Sequence, residues 1–383
     1  MKFGSSRMIL GIIPIVAACF IGSAFARGQA RGQAAPAERP QMADDVFKNI
    51  QVLKGIPVDE FMDTMGMFAA SLSFNCVDCH TLQSVGTWDH FADDTPLKQT
   101  TRKMIQMVNT INKDNFSGVR SVTCYTCHHG DLRPKIVPEL AAQYAAYMDN
   151  PNEPTLLPAS AGPTVDQVFA KYMQALGGAQ RVASLTSYTG KGTFIGFETE
   201  QTKVPVDVFA KSPNQKAMVV HTALGDSTRT FDGRAAWIAS PDRPVGLLTL
   251  TGGNLDGARI DAVVTFPAQL RQAFNQWRVG ATSIDDKEVQ VLQGSNPRQP
   301  PVNFYFDQAG LLVRILRYVD TAVGRVPTQI DYSDYRDVAG VKVPFKWVTT
   351  WTDGQATTEL TEVQPNPNIP ATRFARPAPI RPK

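Results

Sequence analysis

The chain contains few cysteines, and this scarcity argues against a fold held together by disulfide bonds. Only five cysteines occur in 383 residues. Four of them form two C-x-x-C pairs, and the fifth, Cys19, lies in an apolar N-terminal segment. If both pairs have another role, no thiol remains for a structural disulfide.

Strong charge of one sign and long apolar runs are also scarce. The 38 basic and 35 acidic side chains leave a formal net charge of +3, and no long basic run marks a nucleic-acid surface. Beyond the N-terminal segment, no apolar stretch is long enough to span a membrane. A phosphate-binding loop, a dinucleotide fingerprint and a nucleophile motif are all missing, which argues against the common classes of enzyme.

Each C-x-x-C pair is followed directly by a histidine, which makes two C-x-x-C-H boxes. This box is the attachment signature of a c-type haem. Its two thiols reach the vinyl groups along one edge of a porphyrin, and the histidine ligates the iron under the ring. We therefore predict two covalently bound haem c groups. The attachment residues are Cys76, Cys79, Cys124 and Cys127, and the histidine ligands are His80 and His128.

Two other roles for the C-x-x-C pairs stay open at this point. Four thiolates could hold a tetrahedral zinc ion, although zinc does not require a histidine after each pair. A redox-active pair would be expected in a thioredoxin-like βαβ context, and no such pattern surrounds either box. The paired histidines therefore favour haem.

The first 26 residues have the pattern of an export signal. Lys2 and Arg7 give a positive start, residues 8–22 are apolar, and residues 24–26 (Ala-Phe-Ala) form a cleavage site of the A-x-A type. We expect cleavage after residue 26 and an exported, periplasmic protein, which is where c-type haems are attached.

Two alternatives remain for this N-terminus. Residues 16–19 (Val-Ala-Ala-Cys) resemble a lipobox, in which Cys19 would be acylated and would anchor the protein to a membrane. The segment could also stay uncleaved as an anchor. Residues 27–40, rich in Gly, Ala, Gln, Arg and Pro, are expected to form a flexible tether.

Residues 41–148 contain the same unit twice: a methionine-bearing helix, a turn and a haem box. The first helix starts near Pro57 and the second near Pro96. Apolar residues recur at helical spacing in both. The first stripe contains Val58, Phe61, Met62, Met65, Phe68, Ala69 and Leu72, without Met67, and the second contains Leu97, Thr101, Met104, Val108 and Ile111. We predict a mainly α-helical dihaem cytochrome c domain.

The helices also supply candidates for the sixth iron ligand, because a methionine thioether suits an electron-transfer haem. Met62 and Met65 compete on the first helix, and Met104 and Met107 compete on the second. Core filling is the alternative role for each of them. His90 could ligate an iron in a bis-histidine arrangement, or it could be a loop residue with a local hydrogen bond.

Two segments resemble the first two haem segments of the photosynthetic reaction-centre cytochrome c subunit family. They are VLKGIPVDEFMDTMGMFAASLSFNCVDCH and RKMIQMVNTINKDNFSGVRSVTCYTCHHG, within residues 49–130. In that family a methionine of the helix before the box ligates the iron. The resemblance therefore implies Met65 for the first haem and Met104 for the second, with Met62 and Met107 as the alternatives.

The sequence departs from the four-haem pattern of that family in two related ways. It has no third or fourth box, and it has no histidine between His90 and His128, where the family carries a ligand for its fourth haem. The resemblance therefore implies a two-haem electron carrier and does not extend to docking to a reaction centre.

The second half of the chain reads as a separate antiparallel β-domain. Residues 149–163 are rich in proline and predict a semi-rigid linker. A capping box at residues 164–167 opens a helix. Alternating apolar runs separated by turn signals then fill residues up to 365, with one predicted helix at 267–277. A tail rich in proline and arginine occupies residues 366–383.

Eleven strands are predicted in this domain. They are residues 188–197, 204–211, 215–222, 228–231, 235–239, 289–293, 302–307, 311–319, 328–337, 341–351 and 356–363. Such a meander implies a large, curved antiparallel sheet. The order of elements is similar to the lipoprotein-carrier half-barrel fold, which implies an apolar cavity and an apolar ligand. The only histidine of this domain, His221, is expected to be structural.

The sequence as a whole predicts an exported dihaem cytochrome that carries single electrons between periplasmic or membrane-bound redox proteins. Histidine and methionine together would fill both axial positions and leave no open site for substrate. Two alternatives are a haem redox enzyme with an open axial position and a lipid- or quinone-binding β-domain whose haems act as a redox sensor.

Overall fold

The computed structural model describes residues 39–85, 87–140, 150–158 and 160–380. The predicted signal, Cys19 and most of the predicted tether lie outside the described residues. Residues 40–383 form one unit, so the helical region and the sheet are described together.

The N-terminal region is built from helices, as predicted. Pro57 is the N-cap of α2 and Pro96 is the first residue of α4, in keeping with the fixed φ angle that proline brings to a helix start. Asp59 and Glu60 in the first turn of α2 favour the positive end of the helix dipole. The helices are α1 Ala43–Val46, α2 Val58–Leu72, α3 Cys76–Cys79, α4 Pro96–Asn115 and α5 Cys124–His128, with short 3₁₀ turns at Leu82–Ser84 and Asp89–Ala92.

The buried faces of α2 and α4 differ from the predicted stripes. Met67, which lies off the predicted stripe, is only 5% exposed, whereas Met62 and Met65 are half-buried. On α4 the buried positions are Ile105, Val108 and Asn112. The prediction failed for Met67 because α2 also packs against the sheet, and a one-sided helical stripe cannot describe a helix with two contacts.

The C-terminal region is a fourteen-stranded sheet within the described residues, and every neighbouring pair is antiparallel. Its strand order is β1-β8-β9-β10-β11-β12-β13-β14-β2-β3-β4-β5-β6-β7. The strands are β1 Thr155–Leu156, β2 Ser187–Ile195, β3 Val204–Lys211, β4 Gln215–Thr222, β5 Gly225–Phe231, β6 Ala236–Ala239, β7 Leu248–Thr249, β8 Gln276–Ile284, β9 Lys287–Ser295, β10 Val302–Phe306, β11 Leu312–Thr321, β12 Gly324–Val338, β13 Val341–Trp351 and β14 Gly354–Pro365.

Strands that follow one another in the chain pair as hairpins in two series, β2 to β7 and β8 to β14. One long-range pair joins these two series. β14 pairs with β2, so that Thr358 lies opposite Phe194. Alternation is clear on β13, where Val341, Val343 and Phe345 are buried on one face. Every residue of β10 is buried, because both faces of this strand are covered.

Three helices cover one face of the sheet: α6 Val165–Ala175, α7 Ala179–Ser184 and α8 Gly252–Thr265. The predicted capping box is present, since Thr164 Oγ1 accepts from the Gln167 amide and Gln167 Oε1 accepts from the Thr164 amide. Side chains such as Phe169 and Ile260 enter the main core together with Phe304 of β10.

The predicted helix at 267–277 is wrong in its position. A 3₁₀ turn spans Pro267–Gln272, Trp277 lies in β8, and the long helix is α8, which precedes Pro267. Its glycines concealed α8 in the sequence, because glycine is a weak helix former. Close packing explains these glycines, because a Cβ at Gly257 would clash with the Arg317 guanidinium and one at Gly253 would lie 3.0 Å from Val319 Cα.

The segments that flank the predicted β-domain also contact the sheet. Within the proline-rich segment, Thr155 and Leu156 form the edge strand β1 on β8. Within the C-terminal tail, Phe374 is buried beside Ala217, and the Ile380 amide donates to the Gly246 carbonyl at 2.9 Å. Among the described helices, none has the length and apolar character that crossing a membrane requires.

Candidate haem-binding site

The first box is a single helical turn with its own cap. The Asn75 side chain accepts from the Val77 amide at 3.0 Å, and Asp78 accepts from the Asn75 amide at 2.8 Å. This turn places Cys76 and Cys79 three residues apart on one side of α3.

The second box has the same design with different residues. Thr123 caps the turn α5, and Thr126 completes the reciprocal pair of bonds. His129 follows in the left-handed conformation, with a φ of 49°, and turns the chain away after the box. The sequence-predicted repeat is therefore also a repeat of local structure.

The two box histidines make the same hydrogen bond. His80 Nδ1 lies 3.1 Å from the Phe91 carbonyl oxygen, and His128 Nδ1 lies 2.9 Å from the Asp131 carbonyl oxygen. A carbonyl oxygen can only accept, so Nδ1 carries the proton and the lone pair is on Nε2. Burial, and to a smaller extent the Lys98 ammonium, lowers the pKa of His80 and favours its neutral, ligating form.

The other three histidines have different surroundings. His90 Nδ1 lies 2.8 Å from Asp93 Oδ2, which fits the alternative of a locally bonded loop residue. His129 packs edge-on against Tyr125. Both ring nitrogens of His221 are engaged, Nδ1 by Asp226 at 2.8 Å and Nε2 by Asp207 at 3.2 Å, in keeping with a structural role.

The candidate methionines are not equivalent in the structure. Met62 packs against Val58, Val245 and Leu248, so the sheet already occupies its side of α2. Met65 is half-buried beside the apolar cluster that Cys124 also joins.

On α4, Met104 is half-buried and Met107 is 45% exposed. The buried Met67, which the predicted stripe omitted, packs towards the sheet.

Four side-chain and backbone contacts that the sequence analysis missed hold the boxes. Thr95 Oγ1 donates to the Cys79 carbonyl at 2.7 Å, and Lys98 Nζ donates to the Phe91 carbonyl at 2.9 Å. The Gly130 amide donates to the Ser71 carbonyl at 3.0 Å and ties the end of the second box to α2.

The fourth contact is a clasp formed by Asn112. Its side-chain oxygen accepts from the Ser121 and Val122 amides, both at 2.9 Å, and its side-chain nitrogen donates to the Val122 carbonyl at 2.7 Å. A polar residue four positions after Val108, on a buried helical face, was the signal that could have revealed it.

Two carboxylates of α2 face the start of α8. Asp59 accepts from the Thr251 amide at 2.6 Å and from its hydroxyl at 2.9 Å, which caps α8 from another helix. Asn254 Nδ2 donates to Asp63 at 2.6 Å. Burial raises the pKa of Asp63 to about 7 in spite of this bond.

The residues present fit a pair of large apolar macrocycles bound through thioether bonds. All four box cysteines are free thiols. Of the twelve large apolar side chains that are exposed among the described residues, ten lie in residues 82–140, including Leu82 at 74% and Ile136 at 93%. Such a concentration marks a binding surface. No three His, Cys, Asp or Glu side chains of the described ranges converge as ligands for a single metal ion.

The comparisons with known proteins match the two halves of the chain to different families. Residues 24–191 match the family model described as photosynthetic reaction centre cytochrome C subunit. Residues 259–362 match a family of unknown function.

Curated reaction-centre cytochrome c subunits align with about a quarter of this chain. The protein of Thermochromatium tepidum is 38% identical over 97 residues, which cover 24% of this chain and 23% of that protein. The protein of Rubrivivax gelatinosus is 34% identical over 98 residues, which cover 24% and 25%. The chain therefore matches only about a quarter of the length of these relatives.

Solved structures resemble the C-terminal part at low identity. A LolA superfamily protein from Nitrosomonas europaea is 13% identical with a TM-score of 0.37, covering 56% of this chain and 98% of that one. A DUF1329 family protein from Desulfovibrio piger is 9% identical with a TM-score of 0.39, covering 55% and 97%.

The sequence match thus coincides with the part of the chain that carries the two boxes. Residues 24–191 are similar to the photosynthetic reaction-centre cytochrome c subunit family, and a large antiparallel β-sheet occupies most of the remaining chain.

Proposed function

We propose that this protein is a dihaem c-type cytochrome that transfers single electrons between redox proteins outside the cytoplasm. The observation that carries the proposal is the pair of C-x-x-C-H turns in which each histidine gives its Nδ1 proton to a backbone carbonyl. This bond orients the ring and raises the basicity of Nε2, which is the behaviour expected of an iron ligand. The bound haem supplies the one-electron chemistry.

The protein's own residues hold the two groups in this proposal. Cys76 and Cys79 attach the first haem and Cys124 and Cys127 attach the second, while His80 and His128 ligate the irons. Met65 and Met104 are the proposed sixth ligands, and the surroundings of Met62 and Met107 support this choice over the alternatives. With both axial positions filled, no site is left for substrate, which favours electron transfer over catalysis.

The place of action follows from the N-terminal sequence and from the cofactor. A signal of the A-x-A type directs the chain out of the cytoplasm, where cleavage after Ala26 or acylation of Cys19 would release or anchor it. The partners are redox proteins, including membrane-bound ones.

A haem count on protein exported from a host with c-haem maturation tests this proposal. We expect an intact mass with two covalent haems and a pyridine haemochrome spectrum of the c type. Replacing Cys124 and Cys127 by alanine should leave one haem. A full-length protein without covalent haem would overturn the proposal.

The enzyme alternative makes a different spectroscopic prediction. A haem peroxidase or reductase needs one iron with an open or weakly held axial position. A six-coordinate, low-spin spectrum for both haems in the purified protein supports the carrier, and a high-spin component that binds small ligands would favour the enzyme.

A cavity in the β-domain favours a second candidate function, the binding of an apolar ligand. The cavity has a volume of about 80 Å³ and lies between α6, α7, the end of α8 and the sheet. Tyr188, Tyr332 and Trp347 line it, and Lys216 supplies one cation. A dry cavity of about 150 Å³ binds benzene, so this smaller volume suits a short chain segment rather than a ring.

Native mass spectrometry of the full-length protein with an added short-chain fatty acid tests this second function. We expect one bound molecule, and a Val264→Trp variant that fills the cavity should lose it. Equal occupancy in the variant and the unmodified protein would place the ligand elsewhere and contradict this function.

A further inference from the structure

Two turns at one end of the sheet reach the haem-bearing region. The turn between β11 and β12 presents Ala322, Val323 and Gly324, and we call it the apolar tip. The turn between β13 and β14 presents Thr352 and Asp353, and we call it the acidic tip. The two tips differ in charge, and each lies against a different part of the haem region.

The apolar tip packs beside the second box. A Cβ at Gly324 would lie 2.7 Å from Met67 Cε and 3.2 Å from the Cγ2 atom of Thr123, the cap of α5. Val323 shares a cluster with Ile105 of α4, and Cys124 packs against the same cluster. Arg120, in the loop before this box, donates a hydrogen bond to the Thr321 carbonyl. The second box therefore has an apolar neighbour on the side of the sheet.

The acidic tip packs on α2 close to the first box. A Cβ at Gly66 would lie 2.6 Å from Thr352 Oγ1 and 3.3 Å from Asp353 Oδ1. Glycine at this position lets the carboxylate come close to the helix backbone. Asp353 is also close enough to Cys76 to raise the pKa of that thiol, although burial of the thiol has the larger effect.

Two neighbours of Asp353 favour its ionised form. The Trp351 side chain donates a hydrogen bond to it, and Arg243 is close enough to favour the ionised form. Burial opposes these effects and raises the pKa of Asp353 overall. Asp63 on α2 faces the same region. The side chain is thus a partly buried carboxylate that lies against α2 at Gly66 and is close enough to Cys76 to affect the pKa of that thiol.

We propose that the two tips give the two haems different reduction potentials, with Asp353 lowering the potential of the first haem relative to the second. This inference rests on the proposed function. A negative charge near a haem favours the ferric state, which has one positive charge more than the ferrous state, and low dielectric makes this effect larger. The apolar tip offers the second haem no such charge.

Spectroelectrochemical titration of the full-length protein at one fixed pH tests the proposal. In Asp353→Asn, we expect one of the two midpoint potentials to rise while the other stays unchanged. Asp353→Glu keeps the charge and should restore the original value. Asp334→Asn removes an exposed carboxylate that is paired with Arg336, and it should leave both potentials unchanged.

A second variant keeps the proposal testable if Asp353→Asn fails to fold. Arg243→Gln removes the nearby cation and should shift the same midpoint in the opposite direction. Variants with two covalent haems and unchanged potentials, or with equal shifts of both midpoints, would overturn this inference and leave the proposed function intact. Absence of covalent haem in the unmodified protein would overturn both.

Discussion

His80 and His128 make the same type of hydrogen bond in two different surroundings. The acceptors are backbone carbonyls eleven residues after His80 and three residues after His128. A carbonyl acceptor does not depend on the identity of a side chain, so substitution at Phe91 or Asp131 need not remove it. His221, held by two carboxylates, shows how a structural histidine of the same chain differs.

The proposed axial methionines give the first prediction at this scale. Met65→Ala and Met104→Ala should each convert one haem from six-coordinate low-spin to high-spin, because the thioether ligand is lost. Absorption and electron paramagnetic resonance spectra of the purified variants measure this change.

Met62→Ala and Met107→Ala are the matched controls and should keep both haems low-spin. A high-spin haem in either control, with none in Met65→Ala or Met104→Ala, would move the ligand to the other methionine of that helix.

The clasp at Asn112 gives a second prediction. Asn112→Ala should lower the free energy of unfolding by about 2–4 kcal/mol, because buried backbone groups before the second box would lose their partners. Urea denaturation measures the change. Asn115→Ala is the control, since the Asn115 side chain is exposed and makes one bond to the Ile111 carbonyl, and its effect should be small. An equal loss in both variants would argue against the clasp.

Among the elements, α2 contacts several different parts of the molecule. It carries a candidate iron ligand, it precedes the first box, it contacts the second box through Ser71, and it packs on the sheet through Met67. Small and polar residues, Gly66 and Ser71, sit on its buried face for this reason. A helix that serves several neighbours loses the simple apolar stripe of a surface helix.

Substitution of Gly66 tests the contact between α2 and the acidic tip. Gly66→Ala should destabilise the protein by about 1–2 kcal/mol, because the clash with Thr352 exceeds the gain in helix propensity. Thr352→Gly removes the clashing hydroxyl, so the double variant should recover most of the loss in a double-mutant cycle measured by denaturation. Additive losses would place the cause outside this contact.

His221 on β4 gives a pH-dependent prediction. Hydrogen bonds that the His221 ring donates to Asp226 and, with a smaller effect, to Asp207 raise the pKa of His221 above its usual value. The stabilisation is therefore fully present below the unfolded pKa and is lost as the pH rises through the higher folded pKa. It should stay below about 1 kcal/mol, because the side chains are partly exposed.

His221→Gln should remove this pH dependence from the unfolding free energy between pH 6 and 8. Asp286→Asn, in the turn between β8 and β9, is a control that should retain it. If the unfolding free energy of His221→Gln changes with pH as steeply as that of the unmodified protein, the pH dependence belongs to another group.

At the scale of the whole molecule, the helical region and the sheet share two apolar clusters. One joins Met67 and Ile105 to Val319 and Val323, and the other joins Val58 to Val245 and Leu248. Separation of the halves would expose these side chains to water, and this exposure costs a free energy of about 25 cal/mol for each Å² of apolar surface. The two halves should therefore stabilise each other.

Cooperative unfolding is the prediction that follows. The Soret absorbance of the haems and the far-ultraviolet circular dichroism of the sheet should change at the same denaturant concentration. Val323→Asp, which places a charge in the shared cluster, should separate the two transitions, and the exposed-site variant Thr361→Asp should not. Separate transitions in the unmodified protein would show that the halves fold independently.

Sequence reasoning recovered the elements whose patterns are local. The bounds of β3, β4 and β13 were predicted to the residue, because their alternation and turns are complete within each strand. β8 and α8 were missed or misplaced. Their sequences look weak in isolation, and their structure depends on neighbours such as Arg317 and Val319, which approach the glycines of α8.

The sequence by itself determined which residues are proposed to bind haem, because cysteine spacing, the following histidines and the capping residues act within a few positions of the chain. Tertiary structure alone decided which carbonyl orients each histidine, which methionines the sheet occupies and which tip of the sheet lies beside each box. These contacts join residues as far apart as Gly66 and Asp353, which are separated by 287 positions. No local pattern specifies such a pairing, since it follows from how helices and strands pack.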